Sequence, residues 1–219
     1  MELIDVAGIG PAKARELHER GIHTRADLIR IKKELPQITQ DYLRYNPVKP
    51  IPRKTIAEME ILLKGLRMRA FIGGGYSRGN PTSKDIDIMI SRPALLRREG
   101  PTPLAKLTGA IAALQGLALQ APYMSGDDKI SGMMCYKRKY YKVDFFITPP
   151  AEWIFAKTYI IGSGQYNIRT RAQAKRLGYL LNHKGLFNRK TGRRISIKNE
   201  RELFAKLGMT YRKPQDRNI

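Results

Sequence analysis

The run Asp85-Ile86-Asp87-Ile88-Met89-Ile90 has the period-two rhythm of a strand. Side chains in a strand alternate faces, so Asp85 and Asp87 project from one side while Ile86, Ile88 and Ile90 take the other. Two carboxylates held that close repel each other unless cations lie between them. Hard oxygen ligands suit Mg²⁺, which normally also recruits substrate phosphates. Just upstream, Gly73-Gly74-Gly75 followed by Arg78 and Gly79 offers backbone N–H groups and a guanidinium where such phosphates would lie. The same letters also describe a surface hairpin with two solvated aspartates, and a lone Asp-x-Asp is too common to choose between the readings.

A third acid favours the metal reading. In Tyr140-Tyr141-Lys142-Val143-Asp144-Phe145-Phe146-Ile147 one aspartate interrupts an aromatic and β-branched strand, where a charge needs a partner. With the two strands as neighbours, Asp144 completes a triad able to hold two metal ions, the arrangement used for in-line displacement at phosphorus.

Lys and Arg number 41 against 19 Asp and Glu, a net charge of +22 over 219 residues. That excess predicts a polyanionic partner held in a salt-dependent way, with nucleic acid the first choice. A membrane surface is the alternative, but no apolar run approaches the length of a span and no signal-peptide pattern is present. The expectation is a soluble, intracellular protein. The single cysteine, Cys135, excludes an internal disulfide and any cysteine-clustered zinc site, and reads as a small buried apolar residue. A 42% hydrophobic composition suffices for one large domain or two or three small ones.

Along the chain, Gly8-Ile9-Gly10-Pro11 reads as a tight turn opening a helix that ends at Gly21, with Lys13 adding charge beside the backbone N–H groups. Further helices are expected over His23 to Leu35 and Ile38 to Tyr45. Pro47, Pro50 and Pro52 stiffen a connector, and Ile56, Met59, Leu62, Leu63 and Leu66 mark an amphipathic helix ending near Gly65. Arg67 to Ile72 reads as a strand, Leu104 to Leu117 as a buried helix, and Leu119 to Tyr123 and Lys129 to Tyr136 as further strands. A tight hairpin turns at Lys137-Arg138-Lys139. Ala151 to Ile161 predicts a helix stopped at Gly162, and Ser163 caps the next, on which Asn167 and Arg171 share a face. Tyr179 to Leu181, Gly185 to Phe187 and Arg194 to Ile197 form a small terminal sheet, and Glu200 to Leu207 the last helix. The basic run Lys184 to Arg194 either tracks phosphates or is a solvated face.

GGYSRG, DIDIMI and the later single Asp in a strand resemble the palm of the family X DNA polymerases. VAGIGPAKAR near the start, YIIGSGQYNIRTRA and TYRKPQDR follow in the family's order and roughly its spacing, so the resemblance spans nearly the whole chain. It implies an α+β fold in three parts: a helix-hairpin-helix domain (1–52), a nucleotidyltransferase palm with a mostly antiparallel sheet (53–150), and a small α/β C-terminal subdomain binding the nascent base pair (151–219).

The implied activity is template-directed addition of deoxynucleotides to a primer 3′-OH, most usefully in short gaps during repair. Its cofactors would be two Mg²⁺ ions, with Mn²⁺ able to substitute, bridged by Asp85 and Asp87. Asp144 would ligate the ion at the primer end and accept the 3′-OH proton. Nucleotide contacts carry over to Gly74, Gly75, Arg78, Ser83, Lys84, Tyr159, Gly162 and Asn167, and DNA contacts to Gly8, Gly10, Lys13, Lys142 and Arg171. A monovalent cation would sit on the carbonyls of Ile4, Val6 and Ile9. The partners are primer-template or gapped DNA and deoxynucleoside triphosphates, the membrane is not one, and a monomer is expected. The residues before the hairpin leave no room for the family's N-terminal lyase domain.

Three positions depart from the family pattern. Gly75 stands where a serine hydroxyl would touch the triphosphate, and Ile160 where an aromatic would stand. Pro50 takes the place of a basic connector residue, with Arg53 close by. Two rival readings are a template-independent terminal nucleotidyltransferase on the same palm and a non-catalytic DNA-binding protein.

Overall fold

The computed structural model describes residues 2–66, 68–91, 102–124, 126 and 128–219. They divide into two compact units, Met1–Val48 and Lys49–Ile219.

In the first unit Gly8 turns the chain at φ +84°, tight against Thr39 and Ile38. Gly10 then caps α1 (Pro11–Glu19), which carries its proline in the first turn, where the missing N–H costs nothing. The helix expected over His23 to Leu35 is shorter. Thr24 and Asp27 form a capping box that fixes the start of α2 (Arg25–Arg30), and the chain then tightens into a 3-10 turn, Lys32–Glu34. After α3 (Gln37–Tyr45), Asn46 terminates the helix in the left-handed conformation. Leu3, Val6, Leu17, Leu28 and Leu43 are buried between these elements.

The second unit opens with β1 (Ile51–Pro52) and α4 (Arg53–Leu63). Ile56, Met59, Leu63 and Leu66 are buried as their spacing requires, while Leu62 is only half-buried. There follow β2 (Arg69–Ile72), the one-turn α5 (Gly74–Ser77), β3 (Thr82–Ser83), which pairs with β1, and β4 (Ile86–Ser91). Arg67, expected to begin the first strand, lies outside the described residues. Next comes α6 (Pro103–Ala112), started by the Thr102 hydroxyl on the Ala105 N–H. It is less buried than its apolar composition suggested: Leu107 and Ile111 are enclosed, on the face that meets β5 (Ala118–Met124).

A hairpin of β6 (Lys129–Tyr136) and β7 (Lys139–Ile147) completes the sheet. Its turn has positive φ at both Lys137 and Arg138, the backbone of a two-residue type I′ connection. The strand order is β2-β4-β7-β6-β5. Three of the four pairings are antiparallel, but β4 and β7 run parallel, so the sheet is mixed.

Beyond a 3-10 turn at Pro150–Glu152, α7 (Trp153–Ile161) is apolar all round because it lies between two cores. Trp153, Ala156 and Ile160 cover Met89 of β4, while Phe155 joins Ala174, Leu186, Leu203 and Leu207. The second core is built by α8 (Gly164–Arg176), β8 (Tyr179–Asn182), β9 (Gly185–Asn188) and α9 (Glu200–Lys206). The strand expected at Arg194 to Ile197 reduces to a single bridge from Arg194 to Phe187. After α9 a 3-10 turn, Pro214–Arg217, brings a fully buried arginine inside. Arg217 donates to Glu200 at 2.8 Å and twice to the Arg212 carbonyl, among the rings of Tyr166, Phe204 and Tyr211. That pairing is what permits its burial. Among the described residues no helix is long and apolar enough to cross a membrane.

Candidate active site

The parallel pairing of β4 with β7 sets Asp87 directly beside Asp144, and Asp85 precedes Asp87 on the same face. One carboxylate oxygen from each of the three lies within 4.8 Å of the others. Burial, then the charges of Asp85 and Asp144, push the Asp87 carboxyl up to about 7. This is the signature of an acidic cluster short of positive charge, and three hard oxygen donors converging so closely fit Mg²⁺. Gly74 is required beside it: at φ +59° it lies so close that a Cβ would be 3.0 Å from Asp87 Oδ2.

Burial works against charge at Asp144 too, yet Lys142, Lys129 and Ser131 outweigh it and hold the carboxyl below its usual range. Lys142 reaches Asp144 at 2.9 Å and Asp85 at 3.3 Å, and Lys129 reaches Asp144 at 2.8 Å. Burial would loosen the Lys142 proton, but the Asp144 and Asp85 carboxylates hold it well above the ordinary lysine value. Ser131 donates to Asp144 Oδ1 at 2.6 Å, and the β6–β7 register explains why, since the two residues are direct cross-strand partners. Sequence reasoning missed Lys129 and Ser131. Counting back from the Lys137-Arg138 turn would have found Ser131.

The glycine turn closes over the acids. The Gly73 N–H donates to the Asp87 carbonyl at 2.8 Å, and a Cβ on Gly73 would strike Ile160, whose side chain occupies that space. Arg78 donates through Nη1 to the Ile161 carbonyl and through Nε to Asn218 Oδ1 at 2.7 Å. Gly162, at φ +71°, leaves room for that guanidinium, since a Cβ there would be 3.0 Å from Nη1. Arg53 lies over the Tyr76 ring and donates to the Tyr76 carbonyl, so it belongs to the turn. Ser83 Oγ is buried without a hydrogen-bond partner among the described residues, and Lys84 is exposed.

On the adjoining helices Asn167 Nδ2 donates to the Tyr159 carbonyl at 2.8 Å. Arg171 donates to the Asn167 carbonyl at 3.4 Å, with its guanidinium 5.5 Å from the Tyr159 ring centre. The cavity between sheet, α7 and the β8–β9 turn, about 180 Å³, is lined by Met89, Lys129, Phe146, Tyr159, Ile160 and His183 among others.

Gly8, Gly10, Lys13, Ile4, Val6 and Ile9 all belong to the first unit. Lys13 pairs with Glu16 at 2.6 Å. Of the three carbonyls expected to take a monovalent cation, that of Val6 accepts the Ile9 N–H at 3.1 Å.

Carboxylates converging on adjacent strands beside a glycine-rich turn define the class of metal-dependent phosphoryl-transfer sites. Comparison with known proteins narrows the class. Residues 156–218 match the family model described as DNA polymerase beta thumb. The chain is 30% identical over 156 residues to a Repair DNA polymerase X of African swine fever virus (isolate Pig/Kenya/KEN-50/1950), covering 71% of this chain and 85% of the viral protein. It is 27% identical over 246 residues to DNA polymerase lambda of Arabidopsis thaliana, with 98% of this chain aligned to 45% of that longer protein. The chain belongs to the family X DNA polymerases.

Proposed function

We propose that this chain is a template-directed DNA polymerase that adds deoxynucleotides to a primer 3′-OH, acting on short gaps in repair. The observation that carries the reading is the convergence of Asp85, Asp87 and Asp144 within 4.8 Å. Lys129 and Lys142 neutralise part of this charge, and both ammonium groups would have to release Asp144 Oδ2 for metal ions to bind there. Two Mg²⁺ ions held by the three aspartates would supply Lewis-acid stabilisation of the attacking and leaving oxygens. Ser131 keeps Asp144 Oδ1 occupied, so Oδ2 is the atom that would take the 3′-OH proton.

The backbone N–H groups of Gly74 and Gly75, with Arg78, would bind the triphosphate, and the Ser83 hydroxyl, without a hydrogen-bond partner among the described residues, adds a donor that the glycine at position 75 cannot. Asn167 and Arg171 would read the minor-groove edge of the nascent pair once released from their present backbone contacts. In the first unit, read as a helix-hairpin-helix, Gly8 and Gly10 open α1 toward a DNA phosphate without reading sequence.

The rival terminal transferase would need room ahead of the third aspartate's strand for an insertion that fills the template's position. The two-residue β6–β7 turn supports templated synthesis instead, since so short a connection cannot reach across a site. The reading is tested by extending a primer in a one-nucleotide gap with and without Mg²⁺. Incorporation that needs the metal and stops with a chelator is expected, and binding without incorporation would reduce the protein to a DNA-binding module.

A further inference from the structure

We infer that Asn218 is a positioning residue for triphosphate binding, clipping together the two ends of the turn that carries Arg78. Its side-chain oxygen accepts from Arg78 Nε at 2.7 Å, while its Nδ2 donates to Asn80 Oδ1 at 2.9 Å. The orientation of the amide is dictated by its neighbours, because Arg78 can only donate. Asn80 in turn donates its N–H to the Gly75 carbonyl at 2.9 Å, so the clip runs from Arg78 through Asn218 and Asn80 to the glycines at the head of the turn.

The clip is held from outside the turn. Arg217, the residue before it, is fully buried and paired with Glu200. Its carbonyl accepts the Ser163 N–H at 3.3 Å, and the Ser163 hydroxyl donates to the Ile219 oxygen at 2.9 Å. Asn218 itself is exposed yet flanked on both sides by anchored residues, which is how a surface amide acquires a fixed position. Gln215 also lies against the turn, its Cγ 3.4 Å from where a Cβ on Gly79 would be.

The amide chemistry fits the task. With Asn218 taking Nε and Ile161 taking Nη1, no acceptor among the described residues takes Nη2, which is left for an incoming phosphate. A carboxylate at position 218 could hold Arg78 as well, but it could not donate to Asn80 and would bring a negative charge against the triphosphate. A neutral amide fixes the guanidinium without neutralising it.

This inference rests on the reading of Arg78 as a triphosphate ligand, and the test separates the two. Steady-state KM and kcat for the complementary deoxynucleotide on gapped DNA are measured for the unmodified chain, Arg78→Ala, Asn218→Ala, Asn218→Asp and the double change Arg78→Ala with Asn218→Ala. Arg78→Ala should raise KM about tenfold or more, and Asn218→Ala about fivefold with kcat within about twofold. Asn218→Asp should raise KM further than Asn218→Ala, whereas a merely structural asparagine would make the two alike. In the Arg78→Ala background, Asn218→Ala should add nothing. An unchanged KM in Arg78→Ala overturns the triphosphate reading and the clip with it. A raised KM there with KM unmoved in Asn218→Ala, or a fall in kcat alone, overturns the clip and leaves Arg78 in its role.

Discussion

Asp87 and Asp144 are direct partners across the one parallel pairing of the sheet, and Ser131 meets Asp144 from the opposite strand. Ser131, Lys129 and Lys142 thus brace Asp144, while Asp87 faces the like charges of Asp85 and Asp144 with no hydrogen-bonded cation among the described residues. The two carboxylates should respond differently to substitution.

Asp144→Ala should lower nucleotide incorporation at least ~100-fold while leaving affinity for gapped DNA within a few-fold. Single-turnover incorporation and fluorescence anisotropy on the same DNA check the two halves. Incorporation above a few per cent of the unmodified rate would remove Asp144 from the chemistry.

With metal ions chelated, Asp87 should carry a stability cost. Its carboxyl, near 3.8 when free, sits at about 7 in the fold, so the folded state holds the proton more tightly than the unfolded chain. The stability this gives is fully present below about pH 4 and is lost as the pH rises through 7. With a chelator present at pH 8, Asp87→Asn should therefore melt about 5 °C higher than the unmodified chain, with the difference shrinking toward pH 4. The same substitution should abolish incorporation. An unchanged or lower melting temperature at pH 8 would mean that Asp87 bears no such strain.

Arg217→Ala should cost about 3 kcal/mol or more, because it empties a fully buried site among the Tyr166, Phe204 and Tyr211 rings and takes the guanidinium from the partly buried Glu200 carboxylate. Urea denaturation measures this. A loss below about 1 kcal/mol would show that water replaces the guanidinium without penalty.

Binding to gapped DNA should weaken about a thousandfold between 50 and 200 mM salt if roughly six or more phosphates are contacted, as the +22 net charge suggests. A flat salt response would assign that charge another purpose.

What the sequence made legible was local and periodic. Asp85-Ile86-Asp87 announced its strand, the buried isoleucines followed, and the β6–β7 hairpin turned within the Lys137-Arg138-Lys139 run, at its first two residues, with Lys139 already in β7. Ser163 capped α8 through the Tyr166 N–H as its position implied. Less visible was whatever depends on register or on distant chain. Ser131 reaches Asp144 as its cross-strand partner, legible only by counting the register back from the turn, and Lys129 reaches it diagonally from opposite Phe146, which no short motif encodes. Asn218 reaches Arg78 across 140 residues of sequence, a pairing no local pattern announces. The parallel β4–β7 pairing was hidden for the same reason, and the helix over His23 to Leu35 was overdrawn because the Thr24 and Asp27 cap went unread.

The most direct test of templated synthesis is single-nucleotide insertion opposite each of the four template bases in a one-nucleotide gap, with a single-stranded primer run beside it in Mg²⁺. The complementary nucleotide should dominate at every template base, and the lone primer should be barely extended. Similar use of all four nucleotides opposite a defined base, with efficient tailing of the single strand, would contradict it and make this chain a terminal transferase.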